Sequence, residues 1–171
     1  MKGRQTILTA AIAASLVATT ALGAVAQDDP MAPAAVTAES TGFEKQTDGS
    51  RAWLDGALRG EGLMYTTTWE ATDPRLSGAV SIVANRDEYE RAEMAATSVS
   101  AAVENDGGRW AGSGTYLEGE ELGETWSLIL QGEDGYEGLT ALVVMGPGGR
   151  SVAAAVFPGD MPAIPGSPPS E

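Results

Sequence analysis

Two residue types are missing altogether from the 171-residue chain: cysteine and histidine. Without cysteine no disulfide can staple the fold, although small exported domains with thin cores commonly depend on them, so packing alone must hold this one. Without histidine the commonest general base is absent. So are the Ser-His-Asp and Cys-His nucleophile pairs and the usual ligand sets of zinc, copper and non-haem iron. Positive charge is scarce as well: ten Lys and Arg face 24 Asp and Glu, for a net charge of −14. A field of that sign repels phosphate backbones and anionic lipid heads, which argues against nucleic-acid and membrane-surface partners.

Long apolar runs are equally rare. The main one, from Ile7 to Ala21, is interrupted by Thr9, Ser15, Thr19 and Thr20 and falls short of the roughly 20 apolar residues a membrane span needs. It follows the basic residues Lys2 and Arg4 and precedes the small-x-small pattern Ala24-Val25-Ala26. That is the plan of a secretory signal peptide, with cleavage expected before Gln27. No cysteine follows it to take a lipid, so the mature protein is expected free in the periplasm or the medium, with no membrane anchor. Removing residues 1–26 takes away two cations and no anion, leaving 145 residues with a charge of −16. One core is expected for that length. Its acidity is first of all a solubility device.

Composition divides the remainder. Residues 27–40, rich in Ala, Pro, Thr and Asp without periodicity, are expected to form a disordered leader. The tail 159–171, with Pro162, Pro165, Pro168 and Pro169, cannot continue a sheet or a helix. Between them lies a single domain, 41–158.

Alternation of period two marks its strands. Leu63, Tyr65 and Trp69 share one face of a strand over 63–71; Leu76, Val80 and Ile82 share a face over 76–84; Val99, Ala101 and Val103 share one over 97–103. Asn105-Asp106-Gly107-Gly108 is a hairpin turn, followed by Trp110 and Tyr116 in phase with Gly112 and Gly114. Residues 125–130 bring Trp126, Leu128 and Leu130. Leu139 to Met145 is nearly continuous apolar, as in a covered or central strand, and 151–157 closes the series. Weaker strands are expected near 43–46 and 51–54. The fold class is therefore all-β: an antiparallel up-and-down meander of about seven to nine strands, closed or nearly closed into a small barrel, because closure removes exposed edges. One stretch departs from the scheme. Asp87 to Ala96 is rich in helix formers, with Asn85 placed to cap, and a short helical turn is expected there.

Three stretches repeat one signal: Asp73-Pro74-Arg75-Leu76-Ser77-Gly78, Gly107-Gly108-Arg109-Trp110-Ala111-Gly112 and Asp134-Gly135-Tyr136-Glu137-Gly138. Each sets a polar turn before a bulky residue, with a glycine two positions later. Glycines at 78, 112, 114 and 138 are expected to bend the sheet while aromatics fill its inside. The functional counterpart is a ligand held among Tyr65, Trp69, Trp110, Trp126 and Tyr136, small and fairly apolar, in the barrel or at its mouth.

The blocks Asp73 to Gly78, Glu104 to Gly108 with Trp110 and Gly112, Gly135 to Ala141, and Phe157 to Pro162 resemble the markers of a group of small exported bacterial β-proteins. The resemblance implies the fold and assigns no activity. Gly112-Ser113-Gly114-Thr115-Tyr116 is also similar to half of a glycine pattern in the allene oxide cyclase and dirigent barrels. Glu118 stands where that pattern closes on glycine, so the likeness implies a barrel and carries over no working residue.

The other groups with chemistry are carboxylates: Glu118, Glu120, Glu121 and Glu124 in what the sequence presents as one loop, and Asp106, Glu133 and Asp134 at hairpin tips. They spell neither a calcium loop nor a glycosidase pair, and no motif calls for a metal or a cofactor. A non-enzymatic binding module is the leading expectation. Its rivals are a cofactor-independent isomerase or cyclase working through barrel-lining Tyr and Glu, and a structural or interaction module with a filled core.

Overall fold

The computed structural model describes residues 31–120 and 123–159; the expected signal peptide and most of the tail lie outside them. Nine strands follow in order: β1 Ala34–Thr47, β2 Ser50–Leu54, β3 Ala57–Ala71, β4 Gly78–Tyr89, β5 Met94–Asn105, β6 Gly108–Gly119, β7 Gly123–Glu133, β8 Leu139–Met145 and β9 Ser151–Pro158. Each pairs antiparallel with its successor from β2 to β9, and β1 pairs with both β9 and β3. Eight strands thus close a ring, and β2 continues the line of β1 along β3.

The ring is strongly sheared. Register partners lead from Gly60 through Arg86, Thr97, Tyr116, Trp126, Met145, Val152 and Ala38 back to β3 at Ala71, eleven residues further on. One of the eleven is the extra residue of a bulge between Gly60 and Leu63. A tilted ring of eight strands is just wide enough for side chains to fill it or for one small ligand.

Side chains fill most of it. Val36, Trp69, Val80, Ile82, Val99, Leu128, Leu130, Val143 and Val156 alternate inward and are buried. The expected strand faces hold throughout, including Trp110, which is fully buried. On β6 the inward glycines Gly112 and Gly114 lie against β7: a Cβ at either would collide with the carbonyl of Ile129 or Ser127. Their bareness lets Trp110 and Tyr116 lie to either side.

The three repeated corners meet at one end of the barrel as a plug. Leu76, Trp110 and Tyr136 are all buried there, and Trp110 stacks on Tyr136 with ring centroids 5.2 Å apart. The Asn105 amide ties them together, donating to the Ser77 carbonyl at 2.6 Å while accepting from the Tyr136 hydroxyl, also at 2.6 Å.

Two expectations need correction. Strand β1 begins at Ala34, so the leader expected to stay unstructured to Ser40 contributes half of the β1–β9 ladder. Val36 and Ala38 are small apolar residues in phase, and they pack inward; flanking Ala, Pro and Thr disguised that phase. The short helical turn expected over 87–96 is present as a 3₁₀ turn at Glu90–Ala92, but strand ends occupy the rest of the segment. Cross-strand pairing from Glu88 with Ala95 to Asn85 with Ser98 overrides helix propensity, as tertiary context commonly does.

Candidate functional site

The opposite end is open and polar. Alternation carries the inward face of β4 from Ile82 and Ala84 to Arg86 and Glu88, so a charged pair emerges where the apolar core stops. Across the sheet, Arg86, Thr97, Tyr116 and Trp126 are successive register partners on β4, β5, β6 and β7. The next row outward is Glu88, Ala95, Glu118 and Glu124. The turn joining β4 to β5 closes through Glu93, whose φ of 49° is left-handed.

Arg86 organises the rim. Its Nε donates to Glu88 at 3.0 Å and its Nη2 to Glu118 at 2.7 Å, while the guanidinium lies 5.8 Å from the centre of the Tyr116 ring. Tyr116 donates its hydroxyl to the same Glu118 oxygen at 3.1 Å and stacks on Trp126, centroids 4.1 Å apart. The charges set the protonation states. Burial and then the hydrogen bond to Glu118 push the Tyr116 hydroxyl up to about 12. The Arg86 hydrogen bond holds Glu118 below the usual carboxylate range against a smaller effect of burial. Burial works against the Arg86 charge, but Glu118 and Glu88 outweigh it and raise the guanidinium further.

Arg86 and the next row outward border an open cavity of about 210 Å³, lined among others by Arg86, Glu88, Glu90, Glu93, Met94 and Glu118. Two buried polar atoms of the Arg86 row, the Thr97 Oγ1 and the Trp126 Nε1, have no hydrogen-bond partner. Buried polar groups nearly always have one.

The aromatics expected to hold a ligand separate into four places. Trp69 is buried in the core, and Trp110 and Tyr136 in the end plug. Tyr65 is half-buried and stacks on Phe43 at 5.3 Å beside β1. Trp126 alone reaches the polar row. Glu118 and Glu124, expected in a loop, are paired strand residues of β6 and β7. The sequence reasoning passed over Arg86, Glu88 and Thr97. For Arg86 and Glu88 the signal was the alternation from Val80 to Glu88, hidden by helix-forming composition, and for Thr97 it was phase with Val99 on β5.

Among the described residues no three Asp or Glu converge closely enough to hold a metal ion. The chain matches no protein-family model, and no curated protein or solved structure is significantly similar to it.

Proposed function

We propose that the protein is a non-enzymatic binding module acting outside the cytoplasm, and that its ligand is a small, partly apolar molecule with a cationic group, seated at the open end of the barrel. The observation that carries this reading is Arg86, hydrogen-bonded to Glu88 and Glu118, in the wall of a cavity rimmed by carboxylates. At about 210 Å³ the cavity is below the ~300–1,000 Å³ of drug-sized pockets, so the ligand is small. Glu88, Glu90, Glu93 and Glu118 outnumber Arg86 there, favouring a cation, and Met94 and Ala95 offer apolar contact. Acid–base catalysis draws no support from the same groups: Tyr116 stays protonated and Glu118 ionised well away from neutral pH, whereas a working acid or base sits near it.

The test is a titration followed by amide chemical shifts, using n-butylammonium, n-butanol and n-butyrate at constant ionic strength. Butylammonium should bind most tightly, moving the signals of Met94 and Glu118, and Glu118→Gln should weaken it several-fold. Equal responses to all three, or a preference for butyrate, would sink the proposal.

A further inference from the structure

We infer that the cation taken at the open end is a primary ammonium, held between the free oxygens of Glu118 and Glu88, and that Tyr116 is the positioning residue that aims Glu118 at it. This deepens the binding reading above and rests on it. Two arginines of the barrel hold carboxylates in different ways. Arg59 on β3 grips its register partner Asp87 with Nε and Nη2, one nitrogen to each carboxylate oxygen, at 2.7 and 3.0 Å. That is a closed, bidentate pair in which one cation neutralises one anion. Arg86, on the opposite face of β4, spreads the same two nitrogens over two residues: Nε bonds Glu88 Oε1 at 3.0 Å and Nη2 bonds Glu118 Oε2 at 2.7 Å. Both nitrogens lie along one edge of the guanidinium plane, so two carboxylates stand side by side against a single positive charge. One negative charge is left over.

The spare oxygens are specified as well. Tyr116 donates its hydroxyl to the same Glu118 Oε2 at 3.1 Å, so both lone pairs of that oxygen are engaged and the carboxyl cannot turn without breaking two bonds. Among the described residues nothing bonds Glu118 Oε1 or Glu88 Oε2. Both glutamates line the cavity, and with Glu90 and Glu93 beside them four carboxylates and one guanidinium leave a formal −3. Three kinds of organic cation compete for such a place. A guanidinium prefers both oxygens of one carboxylate, as at Arg59, and Glu118 has only one to offer. A quaternary ammonium has no N–H and is held by aromatic faces. The Tyr116 ring already has the Arg86 guanidinium 5.8 Å and the Trp126 ring 4.1 Å from its centre, which leaves Tyr89 as the one aromatic among the described lining residues. A primary ammonium is a compact charge with three N–H donors. Two of them suit the single oxygens of Glu118 and Glu88, and the third is left for Glu90, Glu93 or water.

Titration of the protein with n-butylammonium, n-butylguanidinium and n-butyltrimethylammonium at constant ionic strength, followed by the amide shifts of Met94 and Glu118, tests the inference. The wild type should bind butylammonium about fivefold or more tightly than either rival. Tyr116→Phe should weaken butylammonium about threefold or more and leave butyltrimethylammonium unchanged, whereas a merely structural role for Tyr116 would weaken both alike. Circular dichroism checks that Tyr116→Phe folds, and the wild-type ranking decides the ammonium assignment without it. If the three cations bind equally, or either rival binds better, the ammonium assignment is overturned while the open end remains a cation site. Equal losses for both ligands in Tyr116→Phe overturn the positioning role. If none of the three cations binds, the binding reading itself has failed, and this inference falls with it.

Discussion

Trp110 donates its indole Nε1–H to the Arg75 carbonyl at 2.8 Å, joining the corner before β6 to the corner before β4 across the closed end of the barrel. Trp69 is as deeply buried, yet its Nε1 has no partner. The two indoles therefore offer a matched pair. Replacing either by Phe removes similar volume, but only Trp110→Phe breaks a hydrogen bond, a loss of about 0.5–1.5 kcal/mol. Trp69→Phe instead relieves an unsatisfied donor. Urea unfolding should find Trp110→Phe less stable than Trp69→Phe by about 1–2 kcal/mol. Equal losses, or the reverse order, would show that the Arg75 bond does not hold the plug.

The glycine face of β6 gives the second prediction. A Cβ on Gly114 would run into the Ser127 carbonyl and the Leu128 backbone, neither of which can swing aside as a side-chain tip can. Gly114→Ala should cost about 1–3 kcal/mol, the range for overpacking. Its neighbour Ser113 points outward and is exposed, so Ser113→Ala should stay within about 0.5 kcal/mol. Thermal melts of both variants decide the matter. A Gly114→Ala protein as stable as Ser113→Ala would mean that β6 and β7 do not approach so closely.

These residues also show what was legible in the chain beforehand. Alternation fixed the faces of Trp69, Val99, Trp110 and Leu128, because burying one face of a sheet admits a single phase. The repeated corners predicted bends; that Leu76, Trp110 and Tyr136 would converge on Asn105 was not visible, since convergence depends on shear, and shear is set by long-range register between β1, β3 and β9. The open end was harder still. Arg86 and Glu88 continue an inward face, but charge at an inward position resembles a solvated helix until Glu118 and Tyr116 are placed across from it. Aromatic residues drew attention to the interior, whereas most of them prove to be packing.

The last prediction concerns Tyr116 and alkaline pH. In the folded protein its hydroxyl is held up to about 12 by burial, the Glu118 hydrogen bond and nearby negative charge; in the unfolded chain it returns to about 10. Because the folded value is the higher one, the stabilisation is fully present below about pH 10 and drains away between about pH 10 and 12, as the unfolded state alone loses the proton. Tyrosinate absorbance of the folded protein should therefore contain a late component near pH 12 that vanishes in Tyr116→Phe. The wild type should also lose stability more steeply than Tyr116→Phe across that window. If tyrosinate absorbance is complete by about pH 11 while the protein is still folded, then Tyr116 is not sealed beneath Arg86 and Trp126. The open end would then lack the dry, ordered floor that the binding proposal requires.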